Sequence, residues 1–235
     1  MELNVDNFAK MIEFSLVRPD VTEKDVEKFC GVVRENNFAT ACVNPVNVSL
    51  ALKFLKGTNI DISASIGFPF GSHLPEIKAL EAKRAIEMGA TQIDMVINLG
   101  ALKSGQDKTV FADIKAVVEA SGEAPVKVIL ENGFLTDEEK VKGCKIAQRA
   151  GASFVKTSTG VETKYILEIG SESIGATVKD VELMRKAVGE EMKVKAAGRI
   201  HTLDFALKLI KAGADRLGTS KGPQLIQEFK KKFGI

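Results

Sequence analysis

The chain has 235 residues, 25.3 kDa and 45% apolar content, enough for one large domain or two small ones with a substantial core. Thirty-three Lys and Arg against 31 Asp and Glu leave a net charge of +2, too balanced for a protein that binds by neutralising a phosphodiester backbone, so nucleic acid is excluded as an expected partner. No stretch approaches the roughly 20 apolar residues that cross a bilayer, and the first residues, with Glu2, Asn4 and Asp6, lack a signal-peptide pattern; the expectation is a soluble, cytoplasmic protein with no membrane partner.

Short β-branched runs alternate with longer helical patterns along the whole chain, as in βα units around a parallel sheet. The predicted strands are Glu13–Val17, Ala39–Val43, Asp61–Phe68, Gln92–Asn98, Val126–Asn132, Ser153–Ser158, Lys193–Ala197 and Asp215–Thr219. Helix starts are marked by Thr22 with Asp25, Thr136 with Glu139 and Thr177 with Asp180, three candidate capping boxes. Helix ends are marked by Gly89-Ala90, Gly151-Ala152 and Gly213-Ala214, where glycine can take the left-handed turn that stops a helix. These pairs recur every 62 residues, two βα units of about 31 residues each. With no linker or compositional break, the pattern predicts a single-domain (β/α)8 TIM barrel over residues 1–235, in preference to an open doubly wound sheet.

Cys30, Cys42 and Cys144 form no CxxC pair, and an odd count points to reduced thiols. His73 and His201 stand apart from any cluster of ligand residues, so no metal is expected.

Successive side chains on a strand face opposite sides. If Ile93, Met95 and Ile97 pack outward on the helices, Asp94 points into the barrel; Val155 and Thr157 outward put Lys156 inward, and Val194 and Ala196 outward put Lys195 inward. All three converge near the C-terminal strand ends, where barrel active sites lie. A structural Lys–Asp ion pair is the plainer explanation. One carboxylate cannot neutralise two ammonium groups, however, and like charges at close range lower each other's pKa, leaving one amine neutral and nucleophilic.

Phe154-Val-Lys-Thr-Ser-Thr-Gly160, Ile93-Asp-Met-Val-Ile-Asn98 and Val194-Lys-Ala-Ala-Gly198 together resemble the deoxyribose-phosphate aldolase family. Further matching stretches, in the family's order, include Arg18-Pro-Asp20, Ala41-Cys-Val-Asn-Pro45, Ile66-Gly-Phe-Pro69, Gly100-Ala-Leu-Lys-Ser-Gly105 and Ala212-Gly-Ala-Asp-Arg216, so the resemblance covers almost the whole chain. It implies a class I lyase that reversibly cleaves 2-deoxy-D-ribose 5-phosphate to acetaldehyde and D-glyceraldehyde 3-phosphate. Lys156 would form the imine, Lys195 would depress its pKa, and Asp94 with a water would move protons. A protonated imine is itself the electron sink, so no cofactor is implied. The resemblance further implies Cys42 as a pocket-lining thiol and a homo-oligomer, a dimer or a tetramer. For the sugar phosphate, the loops after strands seven and eight offer Gly198, Arg199, Gly218, Thr219, Ser220 and Lys221, with Thr159 and Gly160 beside the imine lysine.

The chain departs from the family pattern at several places. Gly198-Arg199 stands where two glycines are common, His201 where an arginine is common, and Lys221 where a serine is common; Glu13-Phe14-Ser15 stands where an Asp-containing triplet is frequent, so the resemblance assigns Glu13 no role. Residues 161–174, with Tyr165, form an expected insertion loop. Arg199 could add charge for a phosphate or fill its space, which leaves open an aldolase for a different, even unphosphorylated, aldol. A non-catalytic sugar-phosphate-binding barrel is the remaining alternative, and an isomerase using Glu131 as base would leave two lysines unexplained.

Overall fold

A computed structural model describes residues 3–161 and 175–234. Eight parallel strands, β1 (Ile12–Leu16), β2 (Thr40–Val43), β3 (Asp61–Ile66), β4 (Gln92–Val96), β5 (Val126–Ile129), β6 (Phe154–Lys156), β7 (Lys193–Ala197) and β8 (Arg216–Thr219), close in sequence order, with β8 paired to β1. Around them run helices α1 (Val5–Ala9), α2 (Glu23–Glu35), α3 (Val48–Leu55), α4 (Pro75–Glu87), α5 (Leu99–Lys103), α6 (Asp107–Ala120), α7 (Asp137–Arg149), α8 (Val178–Val188), α9 (Leu203–Lys211) and α10 (Gly222–Phe233). All eight predicted strands are present, most trimmed at their C-terminal ends where the chain turns away into the loops of the functional face. The expected insertion around 161–174, with Tyr165, lies outside the described residues beyond Val161. No helix among the described residues is long and apolar enough to cross a membrane.

Two of the three predicted capping boxes close reciprocally, at Thr22–Asp25 and Thr136–Glu139. At the third, the Thr177 hydroxyl accepts from the Asp180 N–H, but the Asp180 carboxylate is taken by Lys140 of α7 at 2.7 Å. A tertiary ion pair has outcompeted the local cap. Gly89, Gly151 and Gly213 all adopt positive φ, as the helix-ending role requires.

Parity holds around the barrel: Ile93, Met95 and Ile97, Val155, and Val194 and Ala196 pack in the core between strands and helices, leaving polar side chains inside the barrel. The ring of helices is closed at one end by α1, whose Phe8 stacks on Phe229 of α10 at 5.0 Å between centroids.

Between α4 and α6 a lysine and an aspartate are fully buried together. Lys78 Nζ lies 2.7 Å from Asp113 Oδ2 and donates to Val96 O at 3.0 Å, which anchors α4 to the end of β4 two residues beyond Asp94. Burial pushes the Asp113 carboxyl up and the Lys78 ammonium down from their ordinary values, so desolvation outweighs their attraction. Lys78→Met is expected to destabilise the fold by about 3–5 kcal/mol, because it strands Asp113, while adding Asp113→Leu should recover most of that loss. Urea unfolding of both variants is the check; a single variant as stable as the parent would contradict it.

Candidate active site

Strand register assembles the site. Lys156 on β6 lies beside Lys195 on β7, and Asp94 on β4 lies beside Lys127 on β5. Asp94 is the hub: its Oδ2 lies 2.7 Å from Nζ of both Lys156 and Lys195, and its Oδ1 accepts from Lys127 Nζ at 3.0 Å and Ser63 Oγ at 2.7 Å. Glu13 on β1 completes the network, its Oε2 accepting from Lys195 and lying 3.3 Å from Lys127 Nζ. The other oxygen, Glu13 Oε1, is buried without a hydrogen bond, with Arg216 Nε 4.0 Å away.

Three ammonium groups therefore face two carboxylates. Burial alone would raise the Asp94 pKa, but Lys127, Lys156 and Lys195 hold its carboxyl well below the usual range. Burial likewise opposes ionisation of Glu13, and Lys127 and Lys195 reverse it. For Lys195 burial favours the neutral amine, yet Asp94 and Glu13 hold its pKa above the ordinary lysine value. The sequence argument set one carboxylate against two lysines and expected Lys195 to be the charged neighbour of the imine lysine; the direction at Lys195 agrees with that charge, and the carboxylate the argument lacked is Glu13. The barrel supplies two carboxylates to Lys195, Asp94 foremost and Glu13 with it, and together they favour its charged form.

Lys127 and Glu13 are the residues that sequence reasoning missed. Parity in the predicted fifth strand could have found Lys127, two alternations before Glu131; Glu13 lies in a triplet that departs from the family pattern, so the resemblance gives no signal for it.

A cavity of about 540 Å³ opens at the C-terminal ends of the strands. Lys156 is the one member of the network that reaches its wall. From the loop after β6 come Thr159 and Gly160, from β7 Gly198 and Arg199, and from β8 Gly218, Thr219 and Ser220; Arg18 and His201 join them. Gly218 also provides clearance, because a Cβ there would meet Lys195 Cε at 3.1 Å and Ala197 Cβ at 2.9 Å.

Three expected site residues behave differently. Cys42 is buried inside the barrel with its Sγ 3.7 Å from Ser65 Oγ, and the cavity wall does not include it. Lys221 is exposed and sits off the wall, at the N-cap position of α10 without a side-chain capping bond. The Thr219 hydroxyl, expected as a ligand donor, donates to Ile200 O at 2.8 Å and accepts from Lys221 N at 2.9 Å. It ties the β7 and β8 loops together instead.

The Gly198-Arg199 departure is accommodated by two consecutive left-handed residues, φ 90° and 57°. Glycine is required at the first: a Cβ on Gly198 would lie 2.8 Å from Gly175 Cα and 3.3 Å from Gly160 Cα. Arg199 carries a side chain in that conformation and is exposed, on the rim rather than in the throat. Among the described residues, no three His, Cys, Asp or Glu side chains are grouped as metal ligands.

Comparison with known proteins agrees with this geometry. A sequence model described as DeoC/LacD family aldolase matches residues 9–227. The chain is 48% identical to the deoxyribose-phosphate aldolase of Methanothermobacter thermautotrophicus, covering 97% of this chain and 98% of the relative. It is 50% identical to that of Streptococcus gordonii, covering 93% and 94%. Among solved structures, a deoxyribose phosphate aldolase from Aeropyrum pernix, described as having a unique tetrameric structure, superposes with a TM-score of 0.86 at 30% identity, covering 97% of this chain and 93% of that one. A closed barrel, a buried lysine–carboxylate network under its mouth and end-to-end identity of about half with named aldolases converge: the chain belongs to the DeoC/LacD aldolase family.

Proposed function

We propose that the chain reversibly cleaves 2-deoxy-D-ribose 5-phosphate to acetaldehyde and D-glyceraldehyde 3-phosphate through an imine on Lys156. The observation that carries this reading is that Lys156, alone of the three networked lysines, opens onto the cavity while sharing a carboxylate oxygen with a second lysine held cationic. Lys156 Nζ adds to the C1 aldehyde of the open-chain sugar, and loss of water gives the protonated imine. Removal of the C3 hydroxyl proton breaks the C2–C3 bond, whose electron pair passes to the imine nitrogen as an enamine while the phosphorylated aldehyde leaves. Protonation at C2 and hydrolysis release acetaldehyde and restore the amine.

Asp94 is the proton-transfer group of this reading, within hydrogen-bond reach of the reacting nitrogen at 2.7 Å. Lys195, a buried cation, donates hydrogen bonds and does not compete as a nucleophile. Self-association and a cytoplasmic setting belong to the same proposal: Leu74, Ile77 and Leu80 expose an apolar stripe on and beside α4, and all three cysteines are buried free thiols.

The phosphate is assigned to the loop backbones at Gly198, Gly218 and Ser220, with Arg199 adding charge from the rim. A charged hydrogen bond contributes roughly 1.5–3 kcal/mol, so kcat/KM for 2-deoxyribose 5-phosphate should exceed that for 2-deoxyribose by well over about tenfold. Arg199→Gly leaves the left-handed backbone at ease and tests the side chain alone. It should shrink the advantage of the phosphorylated sugar. Equal efficiencies on the two sugars in the parent would reject the phosphate site, and a larger advantage in Arg199→Gly would show that the side chain obstructs it.

A further inference from the structure

β6 ends at Lys156, and of the four residues that follow it without a strand to hold them, Thr159 and Gly160 form part of the cavity wall. On the β7 side they are tied by hydroxyls, Thr157 Oγ1 and Ser158 Oγ donating to Ala197 O at 3.0 and 2.6 Å, and by the Thr157 N–H to Lys195 O at 3.1 Å. On the β5 side, Leu130 and Asn132 N–H groups donate to Lys156 O and Thr157 O, both at 2.9 Å. These ties end at Ser158. One residue later, the Thr159 N–H donates to Glu131 Oε2 at 3.0 Å.

Glu131 is an unusual place for a side chain. It follows β5 in a left-handed conformation, φ 53° and ψ 63°, and is 5% exposed. Glycine meets that backbone without strain, and this chain uses glycine at many such turns. Retention of a buried glutamate at this one points to a use for the carboxylate. Its other border is a smaller cavity of about 380 Å³ whose described walls include Phe70, Leu99 and Phe134, apolar surroundings that strengthen a charged hydrogen bond.

We infer that Glu131 is a positioning residue: by gripping the Thr159 amide it sets the course of the Lys156–Gly160 segment, and so the aim of the amine and one wall of the substrate cavity. The inference deepens the imine reading and rests on it for its kinetic consequence. Two further observations agree. The Thr159 hydroxyl accepts from the Val161 N–H at 3.1 Å, so the grip extends to the end of the described wall. Burial pushes the Glu131 carboxyl up, opposed by its Thr159 bonds and by the charge of Lys156, the group facing it from β6. A proton-shuttle role would need the carboxyl to exchange a proton during turnover; a positioning role needs only an acceptor oxygen. Glutamine separates them.

The test compares Glu131→Gln and Glu131→Ala with the parent in three measurements: cleavage kinetics with 2-deoxyribose 5-phosphate, borohydride trapping with acetaldehyde, and hydrogen exchange at the Thr159 amide. Glu131→Ala should lose on the order of 10²-fold in kcat/KM, the scale expected of a misplaced reacting group, with slower trapping at Lys156 and a deprotected Thr159 amide. Glu131→Gln, whose amide oxygen still accepts from Thr159, should stay within about threefold of the parent, a neutral acceptor being the weaker one, and keep that amide protected. Glu131→Gln as impaired as Glu131→Ala would overturn positioning in favour of proton transfer. Parent-like kinetics in Glu131→Ala would overturn any role. If Glu131→Ala does not fold, Glu131→Leu, which fills the volume without an acceptor, takes its place under the same two criteria. If the parent is not trapped at Lys156, the imine reading fails, while exchange at Thr159 still decides whether Glu131 holds the segment.

Discussion

Lys156→Met should abolish aldol cleavage, with kcat falling on the order of 10⁴–10⁶-fold as for loss of other covalent nucleophiles, and should remain folded. The second half of that expectation comes from the network. Removing a buried cation normally strands its partner, but Asp94 keeps Lys127 at 3.0 Å and Lys195 at 2.7 Å, so its charge stays compensated. Methionine matches the length of the lysine stem and meets a cavity wall, not a closed core. Incubating the parent with acetaldehyde and borohydride should place one ethyl group on the peptide containing Lys156, and none in the variant. Peptide mapping is the measurement; an adduct confined to Lys195 would reassign the nucleophile and contradict its fixed positive charge.

Asp94→Asn should be the most damaging change that keeps side-chain shape. Three ammonium groups would then face Glu13 alone, and the remaining interaction with Lys156 would be neutral. Breaking buried ion pairs from one side costs about 3–5 kcal/mol, and removal of the proton-transfer group should lower kcat by roughly 10²–10⁴-fold. Exchange of acetaldehyde methyl protons with deuterated water, which requires the enamine to form and be protonated, should slow in the same proportion. Exchange at the parent rate would remove Asp94 from the relay.

The stability difference between parent and Asp94→Asn has a defined pH dependence. The folded-state pKa of Asp94 lies well below that of an unfolded aspartate, so its contribution is fully present above the unfolded value of about 4 and is lost only as pH falls through the lower folded value. Thermal melts should therefore show a constant gap between parent and variant from neutral pH to about pH 4 that closes under stronger acid. A gap that closes between pH 6 and 5 would mean that the three lysines do not hold the Asp94 carboxyl down.

The barrel itself was legible because it is built from a local unit repeated. Two-residue alternation in the strands, threonine at helix starts and glycine at helix ends each depend on a few neighbours in the chain, and Ile93-Asp-Met-Val-Ile97 alone determines that Asp94 lies on the face opposite a core stripe. Lys156 and Lys195 were readable by the same rule. Which charges those three would meet was not, because that depends on register between strands far apart in sequence: Glu13 is 182 residues from the lysine it holds. Only closure of β8 on β1 brings a second carboxylate to the network, and that carboxylate joins Asp94 in holding Lys195 as the charged neighbour of Lys156. The same holds at the rim. Sequence determined that Thr219 carries a hydroxyl and Asp180 a carboxylate, whereas the folded chain decided that one bonds Ile200 and the other Lys140, since a side chain's partner is set by whatever donor or acceptor packing places within about 3 Å.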